Sequence, residues 1–366
     1  MIFRRFYDDA LAQASYLIAC QRSGEAIVVD PNMNTNMYLR AAQDESLRIV
    51  YVTETHIHAD FASGSRALAA GAGAQLYVSG EGGDDWQYRF ADEPGVHLLT
   101  DGGTLDVGQV RLTARHTPGH TPEHLTFLVT DTARSSLPVG AITGDFVFVG
   151  DVGRPDLLER AAGKAGTMHA AAASLHASLR SFASLPDHIQ IWPGHGAGSA
   201  CGKAMSSAAQ STLGYERVAN WAFGAMTESE FVERVLDGQP TAPPYFGAMK
   251  LRNRDAGVPR VVSLPRILDG DDVAHAASAH DVMILDVRNR DEYERGHIAH
   301  AVLIPLPELH ARLAEIPRDR AIITHCQRGS RSAVAAATLD AFGFEDVHEL
   351  TGGFSAWEAA GHAVER

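Results

Sequence analysis

Cysteine is scarce in this sequence: Cys20, Cys201 and Cys326 are the three in 366 residues. An odd, scattered set cannot form a disulfide framework, so a reducing, cytoplasmic setting is expected. Basic residues are also short, 31 Lys and Arg against 45 Asp and Glu, for a formal charge of −14. Phosphate binding needs concentrated positive charge, so no nucleic-acid partner is expected. No apolar run reaches membrane-spanning length, and the opening MIFRRFYDDALAQASYLIAC carries two aspartates where a signal peptide would be apolar. Neither a signal peptide nor a membrane anchor is expected, and hence no membrane partner. With 45% hydrophobic and 21% charged residues, the composition is that of a globular protein, and no stretch looks disordered. The length exceeds the roughly 250 to 300 residues at which a single core stops growing, so two domains, and room for two sites, are expected.

Through residue 200 or so, short β-branched runs alternate with turns: AIVVDP (26–31), RIVYVTETH (48–56), VRLTARHTPGH (110–120), HLTFLVT (124–130) and IQIWPGH (189–195). Between them NMYLRAAQD (36–44), SGSRALAAGAG (63–73) and TMHAAAASLHASLRSFASL (167–185) have helical composition. The mixture predicts α/β layers. Around 238–262 four prolines appear and clean periodicity stops, which reads as a linker. A second strand–helix alternation follows, through VMILDVR (282–288), AIITHC (321–326) and SRSAVAAATLDAFG (330–343), and predicts a small parallel sheet. The boundaries read as 1–240, a linker over 241–264, and 265–366.

Four strand ends in the first region deliver His or Asp beside a turn: THIHADF with His56, His58 and Asp60, TPGH with His120, TGD with Asp145, and WPGH with His195. Imidazoles and carboxylates so placed can converge on one ion. Packing explains the repetition poorly, because each buried imidazole needs a partner. Taken singly, His116, His124, His169 and His176 read as packed or surface histidines.

With these motifs, residues 1 to about 235 resemble the metallo-β-lactamase superfamily, whose pattern is HxHxDH followed by His, Asp and His. The resemblance implies an αββα sandwich. Phe61 stands where the last histidine of HxHxDH would be, so a ligand of the usual second metal is missing and a single ion is expected. Within the superfamily the chain is similar to persulfide dioxygenases, relatives of glyoxalase II. That likeness implies one Fe(II) per N-terminal domain on His56, His120 and Asp145, with zinc disfavoured. Two histidines and a carboxylate leave positions open for dioxygen and sulfur, and the chemistry needs a metal that changes valence. His58, Asp60 and His195, ligands in the related hydrolases, are implied to orient ligands or substrate here. The segment GDVGRPDLLE resembles that of bacterial persulfide dioxygenases carrying rhodanese domains. It places Arg154 and Asp156 near the metal mouth, with Arg154 expected to pair with a carboxylate of a thiol carrier. Cys201, six residues after His195, is expected to line the same cleft and is a candidate to carry a persulfide.

In the second region CQRGSR joins a strand to a helix, so Cys326 sits where backbone N–H groups stabilise an anion. Arg328 and Arg331 add positive charge, and a lowered thiol pKa is expected. Residues 265–366 resemble a rhodanese domain through LDVRNRDEYERGHIAHAVLIP, CQRGSR and LTGGFSAWEAAG. The likeness implies a Cys326 nucleophile in an active loop of Gln327, Arg328, Gly329, Ser330 and Arg331. The loop length from Cys326 to Arg331 favours sulfur transfer over phosphate hydrolysis. Asp286, Arg288 and Trp357 are expected to be structural.

The combined expectation is oxidation of a low-molecular-weight persulfide, such as glutathione persulfide, by O2 to sulfite and thiol. Sulfane sulfur would move among persulfide, sulfite and thiosulfate on Cys326, in a homo-oligomer. The alternatives are a glyoxalase II-like thioester hydrolase fused to a sulfurtransferase, and a noncatalytic sulfur carrier or sensor.

Overall fold

The computed structural model describes all residues except 9–10, 161–165, 200, 240–241, 244–245, 256–265 and 279–281. The chain divides into two compact units. One is built from Met1–Asp8, Ala12–Ala242 and the segment beginning at Lys250, the other chiefly from Arg266 onward.

The first unit holds two six-stranded sheets. One runs in chain order through β1 (Ile2–Asp8), β2 (Gln13–Cys20), β3 (Glu25–Val29), β4 (Arg48–Thr53), β5 (Gln75–Ser79) and β6 (Val96–Leu99). The other contains β7 (Thr104–Val107), β8 (Val110–His116), β9 (Leu125–Asp131), β10 (Gly140–Gly144), β11 (Gln190–Pro193) and β12 (Ser211–Thr212), again with sequential neighbours paired.

Strand β2 is buried along its whole length, and its side chains part by parity. Leu17 and Ala19 pack with Val28, Val52 and Leu68 toward the helices Thr35–Asp44 and Ser65–Ala72. Ala14, Tyr16 and Ile18 instead meet Leu112, Phe127 and Val129 of the second sheet. The same alternation marks the other sheet. Ala141 and Ile191 face Leu175 and Phe231 of the helices Met168–Phe182 and Glu228–Leu236, while Ile142 and Trp192 enter the core between the sheets. A period of two with both faces apolar is what doubly covered strands require. The result is an αββα sandwich. Each large apolar side chain fully buried between the sheets contributes roughly 1.5–3 kcal/mol, which lets strand ends hold costly buried polar groups.

In the second unit the strands are β13 (Arg266–Leu268), β14 (Val282–Asp286), β15 (His297–Ile298), β16 (Val302–Leu303), β17 (Ala321–His325), β18 (Val347–Leu350) and β19 (Val364–Glu365). Five form a parallel sheet in the order β13-β18-β17-β14-β16, and β15 pairs antiparallel with β19. Met283, Leu285 and Ile322 pack on one face of the sheet with Leu339, while Ile284 and Ile323 pack on the other with Phe354 and Trp357. Trp357 also donates from Nε1 to Ala363 O, a packing role as expected.

Of the segment 241–264, residues 241, 244–245 and 256–264 lie outside the described residues. Phe246–Asp255 within it is a helix. Its sequence, FGAMKLRNRD, carries no clean apolar stripe, so the pattern that reveals the other helices is absent. Among the described residues no helix is long and apolar enough to cross a membrane.

Candidate functional site

The histidine and aspartate motifs sit just past the C-terminal ends of β4, β8, β10 and β11. Gly144 makes one of these turns possible. Its φ is +48°, and a Cβ there would meet Thr55 Oγ1 at 2.5 Å and His124 Nε2 at 2.8 Å. Only glycine tolerates both the left-handed backbone and the close approach.

His56, His120 and Asp145 are buried, and each offers a ligand atom within 4.8 Å of the others'. His120 Nε2 lies 3.4 Å and His56 Nε2 3.9 Å from Asp145 Oδ2. Both rings are aimed through their other nitrogen. His120 Nδ1 donates to Arg154 O at 3.0 Å. Thr55 Oγ1 donates to Asp30 Oδ2, so it accepts from His56 Nδ1 at 2.9 Å. Nε2 is thereby left with its lone pair facing the carboxylate. Burial lowers the pKa of His56 and of His120, and for His56 the neighbouring histidines lower it further. Neutral imidazole is the form a metal ligand must have. Asp145 is 1% exposed, yet among the described residues neither of its carboxylate oxygens has a hydrogen-bond partner. A buried carboxylate without donors costs several kcal/mol unless a cation offsets it, so this donor set fits a metal ion.

Beside it, Asp60, His195 and Cys201 form a second buried group with ligand atoms within 4.8 Å. His195 donates from Nδ1 to Ala12 O at 2.9 Å, and its Nε2 lies 3.1 Å from Asp60 Oδ2 and 3.4 Å from Asp145 Oδ1. Burial alone would lower the His195 pKa, but the carboxylates of Asp145 and Asp60 outweigh it and hold the imidazole well above its usual range. Burial pushes the Cys201 thiol up, so it stays protonated at neutral pH. His58 turns to Asp30, with Nε2 3.1 Å from Oδ1, and that carboxylate raises the imidazole to about 9 against the opposing effect of burial. Phe61 is buried, its ring 4.3 Å from that of His58.

Arg154 lies elsewhere than the expected position for receiving a carrier carboxylate. It is fully buried, and Nε and Nη2 each bond Asp156 at 2.8 Å. With its carbonyl on His120, it backs the site rather than opening onto a mouth. Sequence reasoning passed over two supporting residues. Asp30, at φ +53°, accepts from Thr55 N and Thr55 Oγ1 and faces His58. His124, a satisfied core histidine as expected, accepts from Asp145 N at 3.2 Å and stacks on His56. A dipeptide Asp-Pro closing a buried strand was the available signal for Asp30.

In the second unit Cys326 follows β17 and the helix Ser330–Ala341 follows the loop. The thiol is buried and accepts from Gly329 N at 3.1 Å. Burial would raise its pKa, but backbone N–H groups of Ser332, Arg328 and Gly329 outweigh that and lower it. Of the two arginines, Arg331 is held bidentate by Glu292 at 2.6 Å through both nitrogens and also acts on the Cys326 sulfur, and Arg328 is exposed. Gln327 accepts from Arg288 Nη1 at 3.1 Å and donates to Ser355 Oγ at 3.0 Å. Arg288 is itself tied to Asp286, so this pair braces the loop. The side chain of Ser330 lies outside the described residues, though its backbone starts the helix.

A family model described as metallo-beta-lactamase superfamily matches residues 8–195, and one described as rhodanese-like domain matches residues 269–360. A solved metallo-beta-lactamase structure from Staphylococcus aureus is 38% identical, covers 96% of this chain and 98% of its own, and superposes with a TM-score of 0.77. The mitochondrial persulfide dioxygenase ETHE1 of Bos taurus is 27% identical over 53% of this chain and 68% of its own length. A probable hydroxyacylglutathione hydrolase of Schizosaccharomyces pombe is 32% identical over 50% and 62% respectively. The chain belongs to the metallo-β-lactamase superfamily and carries, after that domain, a rhodanese-like domain.

Proposed function

We propose that the chain is a persulfide dioxygenase joined to a sulfurtransferase, converting a low-molecular-weight persulfide RSSH with O2 and water to RSH and sulfite. His56, His120 and Asp145 would hold one Fe(II), which when bound supplies the one-electron chemistry that dioxygen requires. The observation that carries this reading is the buried carboxylate of Asp145, without a hydrogen-bond partner among the described residues, facing the Nε2 atoms of two buried histidines. The protein's own part is positional. Thr55 and the Arg154 carbonyl fix the two rings, and His195, whose Nε2 lies 3.1 Å from Asp60 and 3.4 Å from Asp145, is assigned to orienting these carboxylates and not to holding the ion. Phe61 supports a single ion, because it places a hydrocarbon where a further ligand would stand.

In the second domain the Cys326 thiolate attacks the sulfane sulfur of a persulfide. The S–S bond breaks, the carrier leaves as thiol, and Cys326 keeps the sulfur. Sulfite attacking that sulfur would release thiosulfate and restore the thiolate. Backbone N–H groups of the loop stabilise the thiolate, and would serve the persulfide anion in the same way.

A specific observation favours a second reading. Asp60, His195 and Cys201 are close enough to form a second donor set, and one relative is named a probable hydroxyacylglutathione hydrolase. A two-metal hydrolase would use metal-activated water on a thioester. Oxygen-electrode assays on glutathione persulfide, run beside hydrolysis assays on acyl-glutathione, decide between them. The proposal expects stoichiometric O2 uptake with sulfite release; thioester hydrolysis without O2 uptake would replace it.

A further inference from the structure

The polar backbone of the turn that follows His58 is satisfied from far along the chain. Asn253 Nδ2 donates to His58 O and to Phe61 O, each at 2.8 Å, and Ser63 N donates to Asn253 Oδ1 at 3.0 Å. A single buried amide thus makes three hydrogen bonds to the backbone of the segment that carries His58 and Asp60. Carboxamide is the one neutral side-chain group that offers two donors and an acceptor, which is what two carbonyls and an N–H demand.

Asn253 belongs to the helix Phe246–Asp255, which lies in the segment that the sequence presents as a linker. The end of this helix is fixed to the first unit at further points. Arg254 O accepts from Arg89 N at 2.9 Å, Arg254 Nη1 donates to Asp85 O at 3.2 Å, and Lys250 Nζ stands 3.2 Å from the centroid of the Trp86 ring. Lys250 also acts electrostatically on the buried Glu123 carboxylate. Glu123 Oε1 in turn accepts from Ile57 N at 2.8 Å, between His56 and His58. One helix end therefore bears on the HxHxD segment twice, directly through Asn253 and through Lys250 by way of Glu123.

We propose that Asn253 is a positioning residue of the metal centre, and that the helix end carrying it is the last structural element of that centre and not a passive connection. This rests on the reading of His56, His120 and Asp145 as a metal site. Loss of the three bonds would leave buried backbone groups unsatisfied and let the segment from His58 to Ser63 relax, which alters the aim of His56 and Asp60 without removing any ligand.

The test uses the full chain, stripped of metal and titrated anaerobically with Co(II), whose visible absorption reports ligand geometry. Wild type should give a saturable spectrum that His120→Ala abolishes. Asn253→Ala should bind Co(II) about 10- to 100-fold more weakly with a displaced spectrum, whereas Val235→Ala, which opens a cavity in the core under the helix Glu228–Leu236, should match wild type. Thermal unfolding of the metal-free forms separates positioning from general destabilisation: both variants should melt below wild type, and only Asn253→Ala should lose Co(II) affinity. A wild-type spectrum and affinity in Asn253→Ala overturns the proposal, as does an equal loss in Val235→Ala. Should Asn253→Ala fail to fold, Asn253→Asp decides, since it keeps the acceptor for Ser63 N and loses both donors; wild-type behaviour there is equally fatal. Absence of any His120-dependent Co(II) spectrum in wild type would instead overturn the metal reading itself, and this inference with it.

Discussion

His56, His120 and Asp145 come from three strand ends in two sheets, and each is tied to a distant segment: His56 through its neighbour Thr55 to Asp30, His120 to the Arg154 carbonyl, and Asp145 through its N–H to His124. Cys326, by contrast, meets N–H groups of Arg328, Gly329 and Ser332, all within its own loop and the start of the next helix. The first centre is a product of tertiary structure and of side chains. The second is a product of local backbone. Damage should therefore spread differently: side-chain changes at several distances should weaken the first, while the second should depend chiefly on the thiol and on the backbone that faces it.

The most severe test of that contrast is His120→Ala, which should lose bound metal and O2 uptake while alkylation of Cys326 proceeds at the wild-type rate. The reciprocal change, Cys326→Ser, should abolish sulfur transfer from persulfide to sulfite and leave metal content untouched. A residue that touches no substrate should matter next. Thr55→Val removes the acceptor of His56 Nδ1, and metal affinity measured by chelator competition should fall by about tenfold. The smallest effect is expected at the loop. The thiolate is reactive above its pKa and lost as pH falls through it, so a lowered pKa puts the alkylation midpoint of Cys326 below the ordinary ~8.5. Backbone N–H groups lead the lowering, and Arg331, paired with Glu292, acts on the thiol as well, so Arg331→Ala should raise that midpoint by less than about one unit. Mass spectrometry of the Cys326 peptide across pH would show this, and a larger shift would return the arginine to the leading role.

The same contrast governs what could be read from sequence. The α/β layers followed from β-branched runs and helical stretches, because β2, β10 and β11 carry apolar residues for both faces. The residues His56, His120 and Asp145 stand out because each lies in a short motif at a strand end, and the CQRGSR loop because a thiol, a glycine and a helix start are contiguous. Interactions set by distant partners left no such mark. Nothing local distinguishes an Arg154 that faces solvent from one buried against Asp156, nor reveals that Arg331 is paired with Glu292. Asn253 is a polar residue in ordinary surroundings until folding brings the His58 segment to it. The helix Phe246–Asp255 escaped notice for a related reason: its composition lacks the apolar stripe that marks the others.

The central claim is one iron on His56, His120 and Asp145, with His195 beside it but not on it. Metal analysis of protein purified without oxygen, in wild type and in His195→Ala, tests this most directly. The account predicts about one iron per chain in both. Two metal ions per chain in wild type, with one lost on replacing His195, would contradict it.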